Sequence, residues 1–132
     1  SFQNFSFNFD SAAGIIYTVD VTKPKGEKIT IISMADGTPF SMDKMYKVAL
    51  NSYRGNGGGE LLTKGAGIPQ DELKGRILFS TDKDLRYYLM QYIEKKGVIE
   101  PHALGQWKFI PEEWVEPAAK RDYEYLFGKV EK

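Results

Sequence analysis

The chain has 132 residues with 18 basic and 18 acidic side chains, so its formal net charge is zero; 42% of residues are hydrophobic and 14% aromatic. That length supports one domain with its own core, and the balance of apolar and charged residues is that of a folded protein, not a disordered one. Zero net charge argues against a broad basic footprint for a nucleic-acid polymer, no apolar run reaches the ~20 residues of a membrane span, and the lack of cysteine removes disulfides and thiolate metal sites.

The opening SFQNFSFNFD has neither a basic n-region nor a clean apolar h-region, so it does not read as a signal peptide. With no initiator methionine, the chain is expected to be a processed product or an excised piece. Phe5, Phe7 and Phe9 share one face of an extended segment, with Asn8 and Asp10 alternating. Residues 14–21, GIIYTVDV, are β-branched and partly alternating, which predicts a strand. KPKGE (23–27) predicts a turn and KITIISM (28–34) a second strand, so 14–34 reads as a hairpin. Asp36-Gly37 marks another turn, and YKVAL (46–50) reads as a third strand.

The clearest helical pattern is DKDLRYYLMQYIEKK, 82–96, with Thr81 as the expected cap and Asp84 as its reciprocal acid. Leu85, Tyr88, Leu89, Tyr92 and Ile93 fall on one face, Lys95 and Lys96 suit the negative end of the dipole, and Gly97 supplies the stop. WKFIPEEWVEP (107–117) reads as extended, followed by a short helix over 118–127 that docks through Tyr123, Leu126 and Phe127. No repeat, low-complexity tract or long linker divides the chain. Without a regular βαβ alternation the expected class is α+β, a mixed sheet with packed helices, and residues 1–132 read as a single domain.

His102 is the only histidine and follows Pro101 in a connecting segment. Multi-histidine metal centres and Ser-His or Cys-His nucleophile pairs therefore have no material here, and this chain alone is not expected to be catalytic or to hold a metal. Attention falls instead on VALNSYRGNGGGELLTKGAG, 48–67, where Asn51, Tyr53 and Arg54 stand directly before Gly55, Gly57, Gly58, Gly59, Gly65 and Gly67. It is not a phosphate-binding P-loop: Lys64 is followed by Gly65, and no hydroxyl stands where that motif needs one. Two readings stay open from the residues alone. The glycines serve tight turns and Tyr53 is a packing group; or Asn51 and Tyr53 share one side of a strand end while the glycines let a flat ligand approach the backbone.

The blocks FNFD (7–10), GIIYTVDVTKPKGEKI (14–29), ADGTPF (35–40), YKVALNSYRGNGGG (46–59), STDKDLRYYLMQYIEKKG (80–97) and GQWKFIP (105–111) occur in an order that resembles the C-terminal, substrate-binding domain of the 5'-nucleotidase family. The similarity is greatest to the 2',3'-cyclic-nucleotide 2'-phosphodiesterase/3'-nucleotidase branch. The resemblance implies a domain of that fold, shortened at its N-terminal end, that clamps a nucleoside base between two aromatic rings. Tyr53 matches one clamp residue; Phe9 or Phe7 is the expected partner. Asn51, Arg54, Gly57 and Gly58 complete the implied binding set. The resemblance also implies an N-terminal metallophosphatase domain, absent from this chain, that holds the divalent metals, and a periplasmic or cell-surface location. Where relatives carry an Asp that reaches the ribose, this sequence has Gly59 followed by Glu60, which leaves that contact either lost or taken by Glu60. The alternative expectation is a structural or interaction domain that kept the fold and lost the ligand.

Overall fold

The computed structural model describes residues 9–128. Their contacts gather into two compact units, one comprising Asp10–Lys44 with the segment from Ala103 onward, the other Phe9 with Met45–His102.

The first unit is built on a three-stranded sheet of order β2-β1-β3, with β1 at Ile15–Asp20, β2 at Ile29–Met34 and β3 at Trp107–Ile110. The predicted hairpin forms: β1 and β2 pair antiparallel, Val19 opposite Ile29, with a register irregularity between Ile16 and Tyr17. Its turn closes where the sequence placed it. The Glu27 amide donates to the Pro24 carbonyl at 3.2 Å, and Gly26 takes φ +95°, a left-handed value that glycine reaches without a Cβ clash. β3 joins parallel to β1, Tyr17 opposite Trp107.

This register stacks aromatic rings on one face of the sheet. Tyr17 and Trp107 lie with centroids 5.9 Å apart and planes 12° from parallel, and Phe109 meets Trp107 edge-on at 5.2 Å. Tyr17 is buried, and its hydroxyl accepts the Ala12 amide at 3.1 Å. Strand β3 stops at Ile110, and α3 runs Glu112–Phe127. The extended reading of 107–117 is thus corrected. Pro111 stands at the N-cap, and Glu112 and Glu113 complement the positive end of the helix, so the turn forms early and continues through Pro117. Val115, Ala118 and Asp122, three and four apart, are the half-buried line of α3; Tyr123, Leu126 and Phe127, expected to dock, are exposed instead.

The second unit carries no strand among its described residues. YKVAL, expected as a third strand, shows no ladder among the described residues, and Val48 and Leu50 are exposed. A strand exists only through its neighbours, so an alternating pattern alone does not make one. Here a four-residue helix α1, Ser52–Gly55, leads into a 3-10 turn at Gly58–Glu60 and a π turn at Leu61–Gly65. Further on, α2 spans Leu85–Lys96. Its cap is Asp84, not Thr81: the Asp84 carboxylate accepts the Tyr87 amide at 2.9 Å, while the Thr81 hydroxyl donates to the Lys83 carbonyl. Asp is a stronger N-cap than Thr and sits at the right offset, which explains the later start. Gly97 ends the helix, as expected. Mixed strands and helices confirm the α+β class.

Candidate functional site

The glycine segment folds back on Tyr53. Asn51 begins the turn as an N-cap, its side-chain oxygen accepting the Arg54 amide at 2.8 Å. That cap sets Tyr53 on the first helical turn, with 62% of it exposed. Behind it lies Gly58. A Cβ added there would stand 2.6 Å from ring carbons Cδ2 and Cε2 and 2.6 Å from the Tyr53 carbonyl oxygen. Only a residue without a side chain lets the backbone press against the ring this closely.

Gly57 is required for a second reason. It adopts φ +92°, and a Cβ there would approach Gln70 Oε1 to 2.4 Å and Leu73 Cδ1 to 3.1 Å. Gln70 Nε2 in turn donates to the Asn56 carbonyl at 3.1 Å, and Leu73 is the buried apolar residue of this unit. No motif in the chain marks these two partners. A lone leucine in the polar stretch PQDELKG was the one available sign.

Arg54 turns inward and is 7% exposed. Its Nη1 donates to the Gly58 carbonyl at 3.2 Å, and its guanidinium carbon lies 5.4 Å from the Tyr53 ring centre. It therefore braces the same glycine that backs the tyrosine and places positive charge within cation–π range of the ring. Glu60 follows with φ +61°, a left-handed value uncommon for a residue with a side chain. Its carboxylate pairs with Lys64 at 2.7 Å, both groups largely in solvent, so this pair adds little stability.

Asn51, Tyr53, Arg54, Gly57 and Gly58 are thus brought into one loop. Phe9 falls in the same unit and is 54% exposed; Phe7 lies outside the described residues. Among the described residues no three His, Asp or Glu side chains gather as a metal site would need, and no helix is long and apolar enough to cross a membrane.

Comparison with known proteins bears on this loop directly. The family described as 5'-nucleotidase, C-terminal domain, matches residues 3–64, a span that takes in the hairpin and the glycine turn as far as Lys64. The trifunctional nucleotide phosphoesterase protein YfkN of Bacillus subtilis is 31% identical over 121 residues, covering 83% of this chain and 8% of that protein. The 2',3'-cyclic-nucleotide 2'-phosphodiesterase/3'-nucleotidase of Haemophilus influenzae is 26% identical over 121 residues, covering 80% of this chain and 17% of that protein. The chain therefore spans less than a fifth of the length of either relative. No solved structure matches it. By these matches the chain is similar to the 5'-nucleotidase family, and over residues 3–64 to its C-terminal domain.

Proposed function

We propose that this chain is the nucleoside-recognition part of a larger metal-dependent nucleotide phosphoesterase, holding the base on Tyr53 while chemistry proceeds elsewhere. The observation that carries the reading is the state of Tyr53: a ring 62% exposed, yet backed by Gly58 and braced by Arg54. A packing tyrosine would be covered; a freely mobile one would have no wall behind it. An exposed ring held from behind is a stacking surface, and stacking on a base contributes ~1–3 kcal/mol.

Phe9, exposed in the same unit, is the proposed second ring, with Phe7 the other candidate from the sequence. Asn51 uses its side-chain oxygen as a cap, which leaves its amide nitrogen to donate to a base or ribose. Gly57 and Gly58 keep the backbone low beside the ring, and the Glu60 carboxylate, exposed two residues on, takes the role of ribose acceptor. Arg54 acts by positioning the ring, since it is 7% exposed and donates to the Gly58 carbonyl behind it.

In the whole protein, an N-terminal metallophosphatase domain is the proposed partner. Its divalent metals would activate the water that attacks phosphorus. A periplasmic or cell-surface location is proposed from the same family reading.

NMR titration with AMP, 3'-AMP and ribose 5-phosphate tests the binding claim. One or two stacked faces predict a dissociation constant on the order of millimolar. The reading expects shifts around Tyr53 with both nucleotides, lost in Tyr53→Ala and absent with ribose 5-phosphate. Equal response to ribose 5-phosphate, or none with the nucleotides, would reject it in favour of a structural domain.

A further inference from the structure

The support behind Tyr53 reaches beyond the glycine loop, to the turn that carries Gln70. The peptide group between Asn56 and Gly57 is held at both ends. Its N–H, on Gly57, donates to the Arg54 carbonyl at 3.0 Å, and its C=O, on Asn56, accepts from Gln70 Nε2 at 3.1 Å. Only the nitrogen of a glutamine amide can donate to a carbonyl, which fixes which end of that side chain is which. The first bond is local to α1 and its cap, whereas the second closes a span of 14 residues.

That peptide group needs both bonds. Gly57 has φ +92° and ψ 2°, and glycine crosses to negative φ at little steric cost. One hydrogen bond has a modest net worth in water, so the Arg54 carbonyl alone is a weak guard against rotation; a donor on the opposite end of the same group opposes it. Gly58 comes next in the chain, and one of its Hα atoms points where an added Cβ would stand 2.6 Å from the Tyr53 ring carbons. Rotation of the Asn56–Gly57 peptide group therefore carries the wall away from the ring.

Gln70 is seated for this task. Its Oε1 stands 2.4 Å from the point a Gly57 Cβ would occupy, so the amide lies directly on the bare glycine. The turn beneath it has bonds of its own: the Glu72 amide donates to the Pro69 carbonyl at 3.0 Å, the Arg76 amide to the Leu73 carbonyl at 3.1 Å, and Arg76 pairs with Glu72 at 2.8 Å. Leu73, on the same turn, is 5% exposed. A donor carried on an ordered turn loses little further freedom in making its bond. We propose that Gln70 is a positioning residue for the stacking surface: its amide locks the Asn56–Gly57 peptide group, and through Gly58 it holds the Tyr53 ring where a base can lie on it. The effect on a ligand rests on the stacking reading of Tyr53; the lock itself rests on the loop geometry.

The test compares the full chain with its Gln70→Met variant, which keeps the length of the side chain but donates nothing. Two signals are read by NMR. Without ligand, NOEs from the Tyr53 ring protons to Gly58 Hα report the wall, with the Tyr17–Trp107 NOEs of the other unit as the internal standard. With AMP, the shifts of the Tyr53 ring report affinity. The proposal expects the Tyr53–Gly58 NOEs to fall about twofold or more in Gln70→Met, and the AMP dissociation constant to rise about threefold or more, the scale of one hydrogen bond of ordinary net strength. A Gln70 that serves stability alone would lower the urea midpoint and leave the NOEs of the folded chain unchanged. The proposal is overturned if Gln70→Met keeps those NOEs at full intensity, or binds AMP as tightly as the unaltered chain. AMP that moves no signal even in the unaltered chain would reject the stacking reading and the affinity claim with it, while the ligand-free NOEs separately decide the lock. Should Gln70→Met fail to fold, Gln70→Glu at neutral pH, which keeps Oε1 and carries no donor, makes the same comparison.

Discussion

The two units are held by opposite means. In the sheet unit side chains do the holding: Tyr17 is buried, Trp107 stacks on it, Phe109 meets Trp107 edge-on, and a ladder joins three strands. In the loop-and-helix unit the absence of side chains matters as much. Gly57 and Gly58 let backbone approach Gln70 and Tyr53 more closely than any Cβ allows, and Leu73 is its buried apolar residue. The difference teaches where a binding surface can be kept. A core aromatic such as Tyr17 is consumed by packing, whereas glycine behind Tyr53 supports the ring without covering it.

The sharpest way to break this comparison is Tyr17→Ala. Removing a buried aromatic leaves a cavity and an unsupported Trp107, and a loss of ~3–5 kcal/mol is expected. Urea unfolding measures it, with amide exchange in the β1–β3 ladder as the local reading; a loss below ~1 kcal/mol would mean the stack is not the core of its unit. Gly58→Ala comes next. Its Cβ meets backbone oxygen as well as ring, so the neighbours cannot simply rotate aside, and ~1–3 kcal/mol is expected. Gly26→Ala is its control: nothing stands within 4 Å of the added Cβ, so only the strain of its positive φ, about 1–2 kcal/mol, remains. Equal costs at the two glycines would remove the contrast drawn here.

A smaller effect is expected from Asp84→Ala, which removes the cap of α2. About 1 kcal/mol of helix stability should be lost, seen as faster amide exchange at Leu85–Tyr88, while Thr81→Ala leaves that turn unchanged. The smallest effect is on pH. Asp20 is held below the ordinary aspartate value by its hydrogen bonds from Thr22, first the hydroxyl and then the amide, and Asp36 likewise by Thr38. A lowered folded-state value means the carboxylates stabilise the hairpin fully above the unfolded aspartate pKa, and that contribution is lost as pH falls through the lowered folded values. Carboxyl-carbon titration should find both midpoints below that of a free aspartate, with Thr22→Val raising that of Asp20 alone; an unshifted Asp20 would show the bond does not persist in solution.

Legibility in the sequence follows how local each cause is. The 14–34 hairpin and the Pro24–Glu27 turn were readable because alternation, proline and glycine act within a few residues. Helix α2 was readable for the same reason, although Asp84 outcompetes Thr81 as cap. YKVAL misled because its pattern promises a strand that only a neighbour can complete. The helical start at Glu112 was hidden by Pro117, which reads as a breaker but falls inside α3. At the candidate site, the motif gave Asn51, Tyr53, Arg54, Gly57 and Gly58 as a set. It could not show that Arg54 faces inward, or that Gln70 and Leu73 close the loop from more than a dozen residues on, because those are packing outcomes with no local periodicity.

The central claim is that the exposed face of Tyr53 is a stacking surface. Intermolecular NOEs between adenine ring protons of AMP and the Tyr53 ring protons test it most directly. The account predicts cross-peaks from base H2 or H8 to the Tyr53 Hδ and Hε protons, with the ribose protons farther from the ring. AMP that binds, as judged by saturable shifts, yet gives no NOE to Tyr53 would contradict it and move the base elsewhere on the chain.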